Sequence, residues 1–310
     1  MSNSKNQLPK LVVIAGPTAS GKTGLAVELA RRFNAEIINA DSMQVYRGMD
    51  IGTAKPAAEE RKGIPHHLLD VVDPDEEYNA SLYRLMASAA ALDIIGRGRR
   101  AMVVGGTGLY IKSLLGGLFA CPPSDPGLRR SLAREWESAG AQVLYERLKR
   151  LDPQGARRIH QNDRVRIIRA LEIISLSKKL PSALSREHGF SDCAFNTMKF
   201  CLNRAREDLY RRINRRTVMM IDAGLVEETE RLLQKGYSPR LKSMQAIGYR
   251  QAAEYLAGKY SFGEMTERIQ RDTRRYAKRQ LTWFRADPEY AWLEPQEAEK
   301  FARRIEVFLG

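Results

Sequence analysis

The stretch 11-LVVIAGPTASGKTGLAVELA-30 decides the fold. Its apolar, β-branched start, Leu11 to Ala15, reads as a buried strand that stops at Gly16. Residues 22–34 read as a helix, with Leu25, Leu29 and Phe33 returning on one face. Between strand and helix lies G-x-x-x-x-G-K-T: Gly16, Pro17, Thr18, Ala19, Ser20, Gly21, Lys22 and Thr23. Its glycines let backbone N–H groups point inward, and the helix that follows adds the positive end of its dipole. Lys22 supplies a point charge, and Thr23 offers a hydroxyl to a divalent metal. The eight residues are a phosphate site. The loop alone leaves open whether it serves ATP, GTP or another phosphate.

Outward from the loop, strands and helices alternate. Residues 36–40 (EIINA) read as a second strand ending at Asp41, residues 81–97 as an alanine-rich helix, and 101–104 as a third strand leading into GGTGLY. This rhythm implies right-handed crossovers and an α/β fold: a P-loop NTPase-like parallel sheet with flanking helices. Ligands bind beyond the carboxyl ends of such strands. The phosphate loop, Asp41 and Gly105-Gly106-Thr107 should therefore meet in one cleft.

Pro and Gly break the rhythm at 121-CPPSDPG-127, and only helical periodicity follows, from 128 to about 187. A strand-like run returns at 198-MKFCL-202. The expected organisation is a core of residues 1–121 and 196–310 with an all-helical insertion domain, 122–195. Helices are expected at 207–222, 224–235, 244–257 and 263–286.

Composition narrows the function. The 310 residues contain no apolar run of about 18, so no membrane span is expected, and Met1 to Lys10 lacks a signal-peptide core. Cys121, Cys193 and Cys201 form no C-x-x-C pair, which argues against a disulfide or zinc framework and fits a reducing cytoplasm. The net charge of +14 is uneven. Residues 1–120 hold 14 Lys and Arg against 12 Asp and Glu; the other 190 residues hold 37 against 25. Excess basicity outside the phosphate-loop segment points to a polyanion, most simply nucleic acid.

The usual companions of a hydrolytic loop are missing. The third strand ends in Gly-Gly rather than Asp, and no N-K-x-D motif occurs. Asp41 is then the acid beside the loop, placed to take a proton from a hydroxyl or from an amine. In 66-HHLLDVVDPDEEYNA-80, Asp70 and Asp73 resemble metal ligands, but Pro and dense charge favour a solvated loop. His66-His67 lacks ligand spacing and fits packing or loop hydrogen bonding. Arg166 and Arg169 share a helix face suited to backbone phosphates or to surface ion pairs. The stretch 274-RRYAKRQLTWFR-285 interleaves cations with Tyr276, Trp283 and Phe284; its aromatics can stack on bases, while Leu281 and Phe284 fit the core.

Six segments occur in order: GPTASGKT, NADSMQVYRGMDIGTAKP, HHLLDVVDPDEEYNA, GGTGLY, NDRVRIIRALEI and RQLTWFR. Over about residues 10–290 the chain resembles the bacterial tRNA dimethylallyltransferase (tRNA isopentenyltransferase) family. The resemblance implies transfer of a dimethylallyl group from dimethylallyl diphosphate to N6 of adenosine 37 in tRNA. It implies that the phosphate loop, residues 16–23, grips a diphosphate together with Arg216 and with Mg²⁺ at Thr23. It makes Asp41 the base and puts Thr107 at the reaction centre. Asp41, Ser42, Met43 and Gln44, then Val165, Arg166, Ile167, Ile168 and Arg169, and the segment Gln245 to Arg250 with Gly248 and Tyr249, fall in tRNA-contacting stretches, and Arg129 at a further contact. Val165 stands where relatives often carry Gln. The insertion is expected to clasp the anticodon stem-loop, and a cytoplasmic monomer is expected. A nucleotide kinase would leave the basic charge without a task. An RNA-binding protein without chemistry would leave Asp41 without one.

Overall fold

In the computed structural model, Lys10–Ala15 (β1) is a strand because its side chains are buried on both faces of a sheet. Residues 8–189 and 192–310 are described; the polar N-terminal segment before Leu8 lies outside them. Leu11, Val13 and Ala15 face one apolar layer, and Val12 and Ile14 face the other. A strand covered on both sides reads as a continuous apolar run rather than an alternating one.

The other strands are Ala35–Asn39 (β2), His66–His67 (β3), Arg100–Gly105 (β4), Asn196–Leu202 (β5) and Ala291–Leu293 (β6). They pair in the order β3-β2-β4-β1-β5-β6, every pair parallel. Helices Ala80–Gly96 (α3), Gly108–Gly116 (α4) and Phe262–Arg285 (α13) contribute to one apolar layer. Helices Lys22–Arg32 (α1) and Ala298–Leu309 (α14) contribute to the other, where Phe200 packs on Phe301.

The chain divides into two compact units, Met1–Leu115 with Ala194–Gly310, and Gly116–Cys193. The second is helical: Pro126–Ala139 (α5), Ala141–Leu151 (α6), Pro153–Ala156 (α7), Arg164–Ser177 (α8) and Pro181–His188 (α9). Leu132, Leu144, Leu148, Ile167 and Leu171 form its core. Glu172 is fully buried beside that core and accepts hydrogen bonds from Arg129 Nε, Arg169 and the Asp125 N–H. Burial would raise its pKa, but these donors hold it below the ordinary carboxylate value.

Three expectations need correction. The run from His66 is not wholly a loop, because His66 and His67 pair with Ile37 and Ile38 as an edge strand. His67 is tied to buried Glu36, which Arg97, mainly, holds down at about pKa 2. Asp70 and Asp73 are ion-paired to Lys55 and Arg47. The helix expected at 244–257 begins only at Tyr249 (α12, Tyr249–Leu256), because Gly248 turns the chain at φ 102°. Strand β6 and helices α4 and α14 complete elements the periodicity did not mark. No helix among the described residues is long and apolar enough to cross a membrane.

Candidate active site

The carboxyl ends of β1, β2 and β4 meet at a cleft of about 430 Å³. Gly21 leads into α1 at φ 97°, and Ala19 sits in the left-handed region at φ 63°. Such alternation turns successive N–H groups toward one point, making an anion-binding concavity at a helix N-terminus. The second strand end delivers Asp41. Its N–H donates to Asn39 Oδ1, and its own Oδ1 accepts from Met43 N at 2.8 Å. Oδ2 has no hydrogen-bond partner among the described residues, which leaves an acceptor for a ligand. The third end is laced to the second: Thr107 N donates to Ala40 O, and Ser42 N donates to Thr107 Oγ1 at 3.0 Å. Gly105 and Gly106 are required here, since a Cβ would collide with the Ala40 carbonyl at one and with the Gln280 side chain at the other.

Positive charge comes from Lys22 and from helix Arg206–Asp222 (α10), whose Arg212, Arg215 and Arg216 line the cleft. Arg216 is hydrogen-bonded to Thr18 Oγ1, and Arg212 Nε donates to Ala19 O at 2.9 Å. Arg204 Nε donates to Ser20 O, so three arginines brace the phosphate loop. Lys22 Nζ donates to Pro17 O at 2.7 Å. Desolvation pushes the Lys22 ammonium down to about 8; Asp41 opposes the shift and Arg216 adds to it. Cys201, buried nearby, is held as a thiol by the same desolvation, its pKa pushed up to about 12. Tyr276 of α13 is pushed to a higher pKa by burial and by the nearby Asp41 charge, so it stays a neutral phenol. The cleft thus places an acid opposite an anion site, with Thr107 bonded to the Ser42 N–H at the neighbouring strand end.

The sequence profile of the IPP transferase family matches residues 44–287, and that of isopentenyl transferase matches residues 9–72. The chain belongs to the IPP transferase family. A tRNA dimethylallyltransferase of Geobacter sulfurreducens is 52% identical, covering 95% of this chain and 94% of that protein. Another, from Desulfatibacillum aliphaticivorans, is 50% identical over 97% of this chain and 98% of its own. The crystal structure of the tRNA isopentenylpyrophosphate transferase of Bacillus halodurans superposes with a TM-score of 0.73 at 40% identity, covering 97% of this chain and 96% of that one. A eukaryotic dimethylallyltransferase captured acting on tRNA gives 0.78 at 33% identity, covering 93% of this chain and 74% of that one.

The family stretches map unevenly onto surface and interior. Gln44 lines the cleft, and its Nε2 donates to Thr53 O and Ala54 O. Val165 is 78% exposed and Arg166 is exposed, whereas the side chains of Ile167 and Ile168 lie in the core of the helical unit. Arg129 and Arg169 are bonded to Glu172. Tyr249 is fully buried: it donates to Glu228 Oε1 and accepts from Gly52 N. Glu228 also accepts from Asp50 N and Ile51 N, which fixes the loop carrying Thr53 and Ala54. Gln245 Nε2 donates to Pro239 O, and Arg250 pairs with Asp272.

Two site residues escaped the sequence reading. Asn39, at the end of buried β2, orients Asp41. Gln280 is buried on α13; its Oε1 accepts from Thr18 N and its Nε2 donates to Gly106 O, both at 2.9 Å. One amide therefore joins the phosphate loop to the GGTG turn. Each is a polar residue at a position the apolar pattern marks as interior, and that was the available signal. In Gln280→Leu, a half-buried N–H and a buried carbonyl lose their partners. Urea unfolding should show a loss of roughly 2–4 kcal/mol.

The lysine shift has a sign. With its folded pKa near 8 and its free value at 10.5, Lys22 is charged in the folded protein only below about 8. Between those values the unfolded chain binds the extra proton, so this group adds stability as pH rises through the window. Anion binding runs the other way. Calorimetric affinity for inorganic diphosphate should fall as pH rises through about 8, and Lys22→Arg should flatten that fall.

Proposed function

We propose that this member of the IPP transferase family transfers a dimethylallyl group from dimethylallyl diphosphate to N6 of adenosine 37 in tRNA. The observation that carries the reading is the arrangement of one cleft. A phosphate loop braced by arginines faces an aspartate and a threonine on neighbouring strand ends, and no second acid of the hydrolytic type follows β4. The names of the relatives supply the class of donor and acceptor.

The phosphate-loop N–H groups, Lys22 and Arg216 hold the diphosphate and stabilise the charge that grows as the C1–O bond breaks. The leaving diphosphate keeps the bonding electron pair. The N6 lone pair forms the new bond to C1, and the N6 proton passes to Asp41. Adenine N6 is a poor nucleophile because its lone pair is delocalised into the ring. A hydrogen bond to Asp41 Oδ2 orients the amine and removes the proton as the bond forms. Thr107, at the neighbouring strand end, is held beside the Asp41 turn by the Ser42 N–H. The base must leave its stack to reach the cleft.

The residues fit Mg²⁺ in a limited way. Thr23 is exposed at the mouth of the loop, and no group of three or more His, Cys, Asp or Glu suited to a metal exists among the described residues. That matches a cation bound by one hydroxyl and by the substrate's own phosphate oxygens. When bound, Mg²⁺ would add positive charge against the leaving diphosphate.

The helical unit is read as the grip on the anticodon stem-loop. It carries 14 Lys and Arg against 9 Asp and Glu between residues 116 and 193, with Arg166 exposed on α8. The protein is read as a cytoplasmic monomer.

The test of acceptor and donor together is diphosphate release. It should require both tRNA and dimethylallyl diphosphate, and a transcript with guanosine in place of adenosine 37 should support none. Phosphate release from ATP without a prenyl donor would favour a phosphotransferase instead.

A further inference from the structure

A second concavity lies on the first unit, away from the phosphate loop, where α12 packs on α13. Its volume is about 470 Å³, and Arg250, Arg268, Arg271, Arg275 and Arg279 line it together with the acids Glu254 and Asp272. Arg271, Arg275 and Arg279 recur every four residues on α13, so they share a face and climb it in steps of about 6 Å. A folded surface gathers like charges at a cost unless a counter-charge arrives.

The internal counter-charge is smaller than the five arginines: two acids line the groove, and one of them, Glu254, is engaged by Lys259 and by the Tyr260 hydroxyl. Asp272 alone is shared by Arg250 at 2.9 Å, Arg271 at 3.3 Å and Arg275 at 3.7 Å, and it also accepts from Gln251 Nε2. Arg268 is taken up by Glu264 and stacks on Tyr260. The side chains of Arg271 and Arg275 remain 47% and 66% exposed. Arg250 Nε is buried with no hydrogen-bond partner, so this guanidinium is only partly satisfied. A guanidinium presents its donors in a fork that matches phosphate oxygens.

The same helix, α13, also supplies Gln280 to the cleft. Arg279 lies over the Tyr276 ring, with its guanidinium 5.6 Å from the centroid.

We propose that Arg271 and Arg275, backed by Arg250 and Asp272, form a phosphate-binding groove for the ribose-phosphate backbone of the RNA substrate. This rests on the tRNA reading above. The groove carries no sequence information. It fixes the path of the strand, as phosphate contacts do, while the cleft selects the base.

The experiment compares wild type with the double variant Arg271→Gln, Arg275→Gln, both sites being exposed. Filter binding of unmodified tRNA is followed against salt, alongside steady-state prenyl transfer. Each lost phosphate contact reduces the salt slope by about one. The double variant should therefore show a slope shallower by about two and a weaker tRNA affinity, with the loss in kcat/KM falling on KM for tRNA. Its KM for dimethylallyl diphosphate should not move. Arg303→Gln, which removes one charge from the exposed face of α14, should leave the slope as it is. A double-variant slope equal to wild type would overturn the groove, and so would an equal effect per charge from Arg303→Gln. If wild type transfers no prenyl group at all, the tRNA reading fails first, which separates the two failures.

Discussion

Replacing Asp41 with Asn lowers prenyl transfer by roughly 10²–10⁴-fold, the usual worth of a positioned general base, while tRNA still binds. Asn is the informative substitution because the two oxygens of Asp41 have different tasks. Oδ1 accepts from Met43 N and Gln44 N, and an Asn carbonyl can do the same. The turn into Ser42 and Gln44 should therefore survive. The other position changes from an acceptor to an amide donor, which cannot take the N6 proton. Single-turnover transfer with filter-bound tRNA in parallel reads both effects. A near-normal kcat would remove Asp41 from the base's role.

The second large effect belongs to Arg216. Arg216→Gln should lower kcat by roughly 10²–10³-fold, the loss seen when one preorganised donor to a developing charge is removed. The residue reaches the cleft from α10, is hydrogen-bonded to Thr18, and feels the charge of Asp41. Diphosphate affinity should weaken as well. Arg216→Lys should recover only part of the loss, because an ammonium lacks the two-pronged geometry of guanidinium. If kcat held and only KM for the prenyl donor rose, Arg216 would bind ground state and transition state alike and contribute nothing specific to ionisation.

Much of this site was legible in the sequence because its parts are local. A strand, eight loop residues and a helix define the anion site within 11–30, and Asp41 and GGTG fall at ends of runs that periodicity marks as strands. The rest was hidden for physical reasons. Strand β3 is two residues long and β6 three, too short to show any period, and they are strands only because a neighbour pairs with them. Helix α4 is apolar and carries glycine at both ends, so no stripe announces it. Gln280 lies 262 residues from Thr18 along the chain, and no local pattern predicts a bond across that span. The arginine groove needed α12 to pack on α13. Spacing alone marked Arg166 and Arg169 as a pair, yet the fold gives Arg169 to Glu172 and leaves Arg166 exposed.

The most direct measurement of the central claim is product identity. The protein is incubated with unmodified tRNA, Mg²⁺ and dimethylallyl diphosphate labelled in the prenyl group, and the tRNA is digested to nucleosides. The predicted result is label in a single nucleoside, N6-dimethylallyladenosine, with unlabelled diphosphate released in equal amount. Label absent from the RNA, or present in any other nucleoside, would contradict the assignment of the cleft.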